Sequence, residues 1–142
     1  MVLAMEVIIM AFTWSKDLET GNSTIDTQHK TLIDALNALM DACSQGKAKE
    51  QISETMKFLI DYTKRHFADE EKLQKMSGYP DYDNHKKMHD AFVQTVADIA
   101  KELDAQGPTI VMVGKVNNAV GNWLVTHIKR EDAKVAAHIR SK

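Results

Sequence analysis

Tyr62-Thr63-Lys64-Arg65-His66-Phe67-Ala68-Asp69-Glu70-Glu71 lies inside a long helical pattern whose inward positions are Ile52, Met56, Leu59, Thr63, His66, Glu70 and Leu73. The steps between them are four or three residues, the spacing of a bundle helix that turns one seam to its neighbours. His66 and Glu70 therefore stand where leucines are expected. A lone imidazole and a lone carboxylate in an apolar core are costly to desolvate, so the other helices must supply partners.

Outward from this stretch, three more patterns of the same kind appear. The first helix is expected from Ser23-Thr24-Ile25-Asp26, a helix-start signal with an acid in the first turn, to about Ser44. Its inward stripe is Ile25, His29, Leu32, Leu36, Leu39 and Cys43, and Gly46 ends it. The second runs from about Lys47 to Ser77 and stops at Gly78-Tyr79-Pro80. The third runs from about Asp81 to Gln106, with the stripe His85, His89, Phe92, Val96, Ile99 and Leu103, and Gly107-Pro108 ends it. The fourth runs from about Thr109 to Ile139 through Val113, Asn117, Val120 and Leu124, after which the stripe splits around Ile128. Four amphipathic helices joined by short connections predict an all-α, up-down-up-down antiparallel four-helix bundle. Residues 11–22 lack periodicity and read as an extended N-terminal arm, pinned by Trp14 and Leu18. Residues 1–9 read as an N-terminal extension, and 10–142 as one domain.

Composition narrows the function. The chain has 142 residues, enough for one domain with a real core. With 18 basic and 20 acidic residues the net charge is -2, so no basic excess is available to neutralise phosphates, and nucleic acid is not expected as a partner. Cys43 is the single cysteine, which excludes an internal disulfide and a thiolate metal cluster and fits a cytoplasmic setting. The apolar opening, Met1 to Phe12, carries Glu6, lacks a basic start and is too short to span a bilayer.

Antiparallel topology decides where the odd polar residues fall. His29 is early in the first helix, His66 and Glu70 late in the second, His85 and His89 early in the third, and His127 and Asp132 late in the fourth. All four positions are the same end of the bundle. His66 with Glu70, and His85 with His89, are four apart and share a helix face. His127 and Asp132 are five apart, about 140° around a regular helix. They flank the inward direction set by Leu124 and Ile128, and a wider turn or bulge would draw them together. A distorted segment is expected there.

Five imidazoles and two carboxylates make a nitrogen and oxygen donor set suited to iron, manganese or zinc. Seven donors are too many for one such ion and about right for two. An odd number of histidines gives one ion three and the other two, with an open coordination position on the second. Glu71 and Glu131 neighbour these residues but fall off or duplicate the inward direction, and read as solvated or supporting groups. His138 lies outside the pattern and is expected to be exposed.

The whole pattern, a lone His followed by H-x-x-x-E, H-x-x-x-H and H-x-x-x-x-D, resembles that of the single-domain bacterial hemerythrins, over Trp14 to about Ile139. The resemblance implies two iron ions. His85, His89 and His127 would hold one, His29 and His66 the other, with Glu70, Asp132 and an oxo or hydroxo group bridging. It implies end-on, reversible binding of dioxygen at the open position, with Leu32, Trp123, Leu124 and Ile128 around the ligand pocket. The expected role is oxygen transport, storage or delivery, without a catalytic residue. An oxygen, iron or redox sensing module, a di-iron oxidase, peroxidase or nitric-oxide-handling enzyme, and a structural zinc protein are the competing classes. Ferritin-like di-iron enzymes use Glu-x-x-His pairs, and no glutamate here is followed three residues later by histidine.

Overall fold

The computed structural model describes residues 12–47 and 49–141. The expected extension over residues 1–9 lies outside the described residues. Helix α1 spans Ser23–Ser44, α2 Lys49–Ser77 and α3 Tyr82–Gln106. The fourth, α4, is one continuous rod over residues 110–140. α1 packs on α2, α2 on α3, α3 on α4 and α4 on α1, which closes the expected four-helix bundle.

Local chemistry sets the helix ends. The Asn22 side chain caps α1 by accepting from Ile25 N at 3.0 Å, and Thr109 Oγ1 caps α4 by accepting from Met112 N at 3.1 Å; each satisfies an amide that the first turn leaves without a partner. α2 ends at Gly78, whose φ of 66° lies in the left-handed region open to glycine. There Tyr79 N donates to Gln74 O at 2.9 Å, the long bond of a Schellman closure.

The apolar core fills the bundle away from the polar cluster, with Leu36, Leu39, Met56, Leu59, Val96, Met112 and Val120 all buried. Two positions depart from the expected stripes. On α2, Gln74 rather than Leu73 is fully buried. On α4, Val116 is buried and Asn117 is half-buried. A π-helical segment, Val116–Asn122, begins at this position. A second π-helical segment, Ile128–Asp132, falls where the bulge was expected.

The arm is tied down by more than Trp14 and Leu18. Leu18 is buried within a short 3-10 turn, Lys16–Leu18, which replaces the fully extended course read from the sequence. Phe12 N donates to Asn37 Oδ1 at 2.9 Å, and Asn37 Nδ2 returns a bond to Phe12 O at 2.8 Å. The Phe12 ring lies over Gly121, where it leaves no room for a Cβ. Thr20 donates from N and from Oγ1 to Asp26 Oδ1 at 2.9 and 2.7 Å. Arg140, at the end of α4, donates to Thr20 O.

Candidate metal centre

α1 delivers His29, α2 delivers His66 and Glu70, α3 delivers His85 and His89, and α4 delivers His127 and Asp132. The structure brings all seven side chains together at one end of the core, none more than 4% exposed. They form two overlapping groups. One is Glu70, His85, His89, His127 and Asp132, and the other is His29, His66, Glu70 and Asp132. Within each group the candidate donor atoms lie within 4.8 Å of one another. The π-helical turn from Ile128 to Asp132 permits the last pair, because widening the turn carries a residue five positions on back towards the side that His127 faces.

Both carboxylates divide their oxygens between the groups. Glu70 Oε1 stands 2.8 Å from His85 Nε2 and 3.3 Å from His89 Nε2. Glu70 Oε2 faces the other way, 3.5 Å from His66 Nε2 and 3.8 Å from His29 Nε2. Asp132 Oδ1 stands 3.1 Å from His127 Nε2 and 3.2 Å from His85 Nε2, while Oδ2 is 2.8 Å from His29 Nε2.

Among the described residues, four of these atoms have no hydrogen-bond partner of acceptable geometry: His29 Nε2, His66 Nε2, Glu70 Oε2 and Asp132 Oδ1. Buried polar atoms left this way cost about 1–3 kcal/mol each, so four of them converging on one place call for a cation. The imidazoles agree. His127 Nε2 lies 3.1 Å from His85 Nε2 and 3.2 Å from His89 Nε2. Nitrogens bound about 2.1 Å from one ion at right angles stand about 3.0 Å apart. The side chains present fit a metal centre built from imidazole and carboxylate.

The electrostatics of the cluster without metal point the same way. Burial works against charge on His29 and His85, but Asp132 and Glu70 outweigh it and raise both imidazoles to about 9. Burial works against the charge of Glu70 too, yet the four histidines around it hold its carboxyl well below the usual range. Asp132 is likewise lowered, with His127, His29 and His85 overcoming its burial and the repulsion from Glu70. The protein holds two anions in its core and recruits protons to balance them, a task that a cation can take over.

A ring of supporting groups surrounds the cluster. His66 Nδ1 donates to Gln28 Oε1 at 2.6 Å, and Gln28 Nε2 donates to Asp69 Oδ2 at 3.0 Å. His89 Nδ1 donates to Glu71 Oε2 at 2.9 Å. Each bond leaves Nε2 of the ring with its lone pair directed at the cluster. Phe67 stacks on His89 with centroids 3.7 Å apart, and Trp123 lies between Phe92 at 3.9 Å and His127 at 4.5 Å, nearly parallel to both.

Of the four residues expected around a ligand pocket, Leu32, Leu124 and Ile128 are buried in the apolar core. Trp123 is half-buried and covers His127, a member of the three-histidine group. Glu71 takes a supporting place, and Glu131 pairs with Lys134 at 3.4 Å, away from the donor groups. His138 is not free at the surface as expected: its ring donates from Nε2 to Ser77 O at 2.8 Å and packs edge-on against Tyr79. Gln28, Phe67 and Gln74 escaped the sequence reading. Gln28 directly precedes His29, Phe67 directly follows His66, and Gln74 repeats the four-residue step from Glu70, which was the available signal.

An antiparallel bundle that buries imidazoles around two shared carboxylates belongs to the helical cation-binding proteins. Residues 20–139 match the hemerythrin HHE cation binding domain. Bacteriohemerythrin of Pseudomonas paraeruginosa is 37% identical over 128 residues, covering 89% of this chain and 80% of the relative. Bacteriohemerythrin of Methylococcus capsulatus is 35% identical over 84% of this chain and 90% of its own length. Myohemerythrin of Theromyzon tessulatum is 31% identical over 87% and 89%. A crystal structure of wild-type hemerythrin superposes with a TM-score of 0.77 at 33% identity, covering 87% of this chain and 94% of the other. The chain belongs to the hemerythrin family, whose members bind dioxygen at non-haem iron.

Proposed function

We propose that the seven clustered side chains hold two iron ions, and that the protein binds dioxygen reversibly for transport, storage or delivery in the cytoplasm. The observation that supports this most is the division of each carboxylate between the two donor groups. On this reading His85, His89 and His127, with Glu70 Oε1 and Asp132 Oδ1, offer five donors to one ion. His29 and His66, with Glu70 Oε2 and Asp132 Oδ2, offer four to the other. The deficit of one donor is where dioxygen would be accommodated. Iron, when bound, supplies the electrons that make dioxygen coordination reversible.

The rest is the work of the chain. Gln28 and Glu71 hold His66 and His89 in the tautomer whose Nε2 is free to bind. Leu32, Leu124 and Ile128 keep water away from the two-histidine side, and a dry site suppresses side reactions. None of them can donate or accept a proton, which favours binding over turnover. Residues 10–142 then form the functional unit, with 1–9 as an extension.

The test is to load the protein with iron, count the metal, reduce it without oxygen, admit air and evacuate. Two irons per chain, with a visible charge-transfer band that rises in air and falls under vacuum, is the expected result. One iron per chain, or irreversible oxidation coupled to turnover of an added substrate, would overturn the proposal.

A further inference from the structure

The two halves of the cluster differ in what stands behind their histidines. On the three-histidine side, His89 Nδ1 donates to a carboxylate, Glu71 Oε2, at 2.9 Å. On the two-histidine side, His66 Nδ1 donates to a neutral amide oxygen, Gln28 Oε1, at 2.6 Å. The other ring on that side, His29, has a buried Nδ1 with no hydrogen-bond partner among the described residues. Thus an anion backs one side, and no anion accepts directly from the outer nitrogens of the other.

The amide is fixed in this orientation. Gln28 Nε2 donates to Asp69 Oδ2 at 3.0 Å, so the oxygen must face His66. The reversed amide would present N–H to Nδ1 and place the imidazole proton on Nε2, where no metal can bind. Glu71 is held from the far side by Lys86, whose Nζ is 3.6 Å from Glu71 Oε1 and 3.1 Å from Asp90 Oδ1.

A carboxylate that accepts an imidazole N–H draws the proton towards itself and leaves more negative charge on the opposite nitrogen. A more basic ligand favours the more highly charged ion. We infer that Glu71, acting through His89, makes the three-histidine position the better home for ferric iron, while Gln28 leaves the two-histidine position easier to reduce. The inference rests on the di-iron reading. Glu71 is a positioning and tuning residue rather than a catalytic one, because it touches a ligand and not the iron. The couple is the one-electron reduction of each ferric ion to ferrous, with electrons supplied by a one-electron titrant.

Two variants give opposite signs. Glu71→Gln keeps an acceptor but removes the charge, so the midpoint potential of the three-histidine iron should rise. Metal affinity should fall about tenfold or more, the usual cost of losing such a partner. Lys86→Met removes the cation that offsets Glu71 and should lower the same potential. The Lys86 side chain is 43% exposed, so this variant tests the inference even if Glu71→Gln folds poorly. In the zinc-loaded wild-type and Glu71→Gln proteins, proton NMR should show the His89 Nδ1–H resonance moving upfield on substitution while that of His66 stays in place. Unchanged potentials in variants that still carry two irons would overturn the inference and leave the di-iron reading intact. A wild-type protein that takes up fewer than two irons would overturn that reading itself.

Discussion

At the scale of single residues, the buried titratable groups make the metal-free protein sensitive to pH in a definite direction. His29 and His85 are raised from 6.5 to about 9 in the folded chain. Their contribution to stability is complete below about pH 6.5 and is lost as pH rises through about 9. Glu70 and Asp132 are lowered, so theirs is present above the ordinary carboxylate range and is lost as pH falls below it. The metal-free protein should therefore be most stable near pH 5–6.5, with its melting temperature falling about 5–10 °C between pH 7 and 9.5. Iron-loaded protein should not show that alkaline loss, because its imidazoles are already neutral. Melting curves of both forms across this range check the expectation. A second prediction concerns Leu124, which is 2% exposed in the apolar core, three residues before His127 on α4. Leu124→Ala should cost about 2–5 kcal/mol through the cavity it leaves. It should also hasten loss of the oxygenated form, measured as decay of its visible band. Unchanged decay would remove Leu124 from the pocket wall.

At the scale of elements, the i, i+5 spacing of His127 and Asp132 is legible in the sequence as a demand for a distorted helix. The segment Ile128–Asp132 meets it. The other π-helical segment, Val116–Asn122, was not legible, because Val113, Asn117, Val120 and Leu124 already satisfy a regular stripe. It is a feature of the backbone hydrogen bonding, which no residue type in the segment announces. Supporting partners were hard to read for a related reason. Gln28 and Asp69 meet across two helices, and whether they meet depends on rotamers that spacing does not specify. The π-helical turn also makes a prediction. Five residues of a wide turn and four of a regular one point a side chain in nearly the same direction, within about 50° of the start. Deleting exposed Arg130 should convert the wide turn to a regular one and leave Asp132 facing the cluster. The deletion variant should still bind the wild-type amount of metal. Loss of half the metal would mean that the wide turn does more than aim one carboxylate.

At the scale of the whole molecule, the bundle has a polar end and an apolar end. Leu39, Cys43, Ile52, Met56, Ile99 and Leu103 pack the apolar end without help from metal, whereas the other end concentrates imidazoles and carboxylates. That contrast was readable in outline, since topology alone sorts early and late helix positions, and seven polar residues cannot share one level of a core by accident. Metal removal should accordingly loosen the two ends unequally. Hydrogen exchange should speed most over residues 63–77 and 82–92, with residues 50–59 and 96–103 much less affected, because a bound ion stabilises what it touches. Uniform acceleration along α2 would show that the bundle opens as one unit.

Two of the three turns between helices, those at Gly46 and Gly107, close the apolar end, while the turn at Gly78, the arm and the end of α4 crowd the other. A visitor grafted into the hairpin after Gly107, such as a fluorescent reporter or a tether to a surface, would hang from the side of the rod farthest from the imidazoles. The scaffold thus comes with a natural handle: it can be wired to another device without a hand being laid on the chemistry.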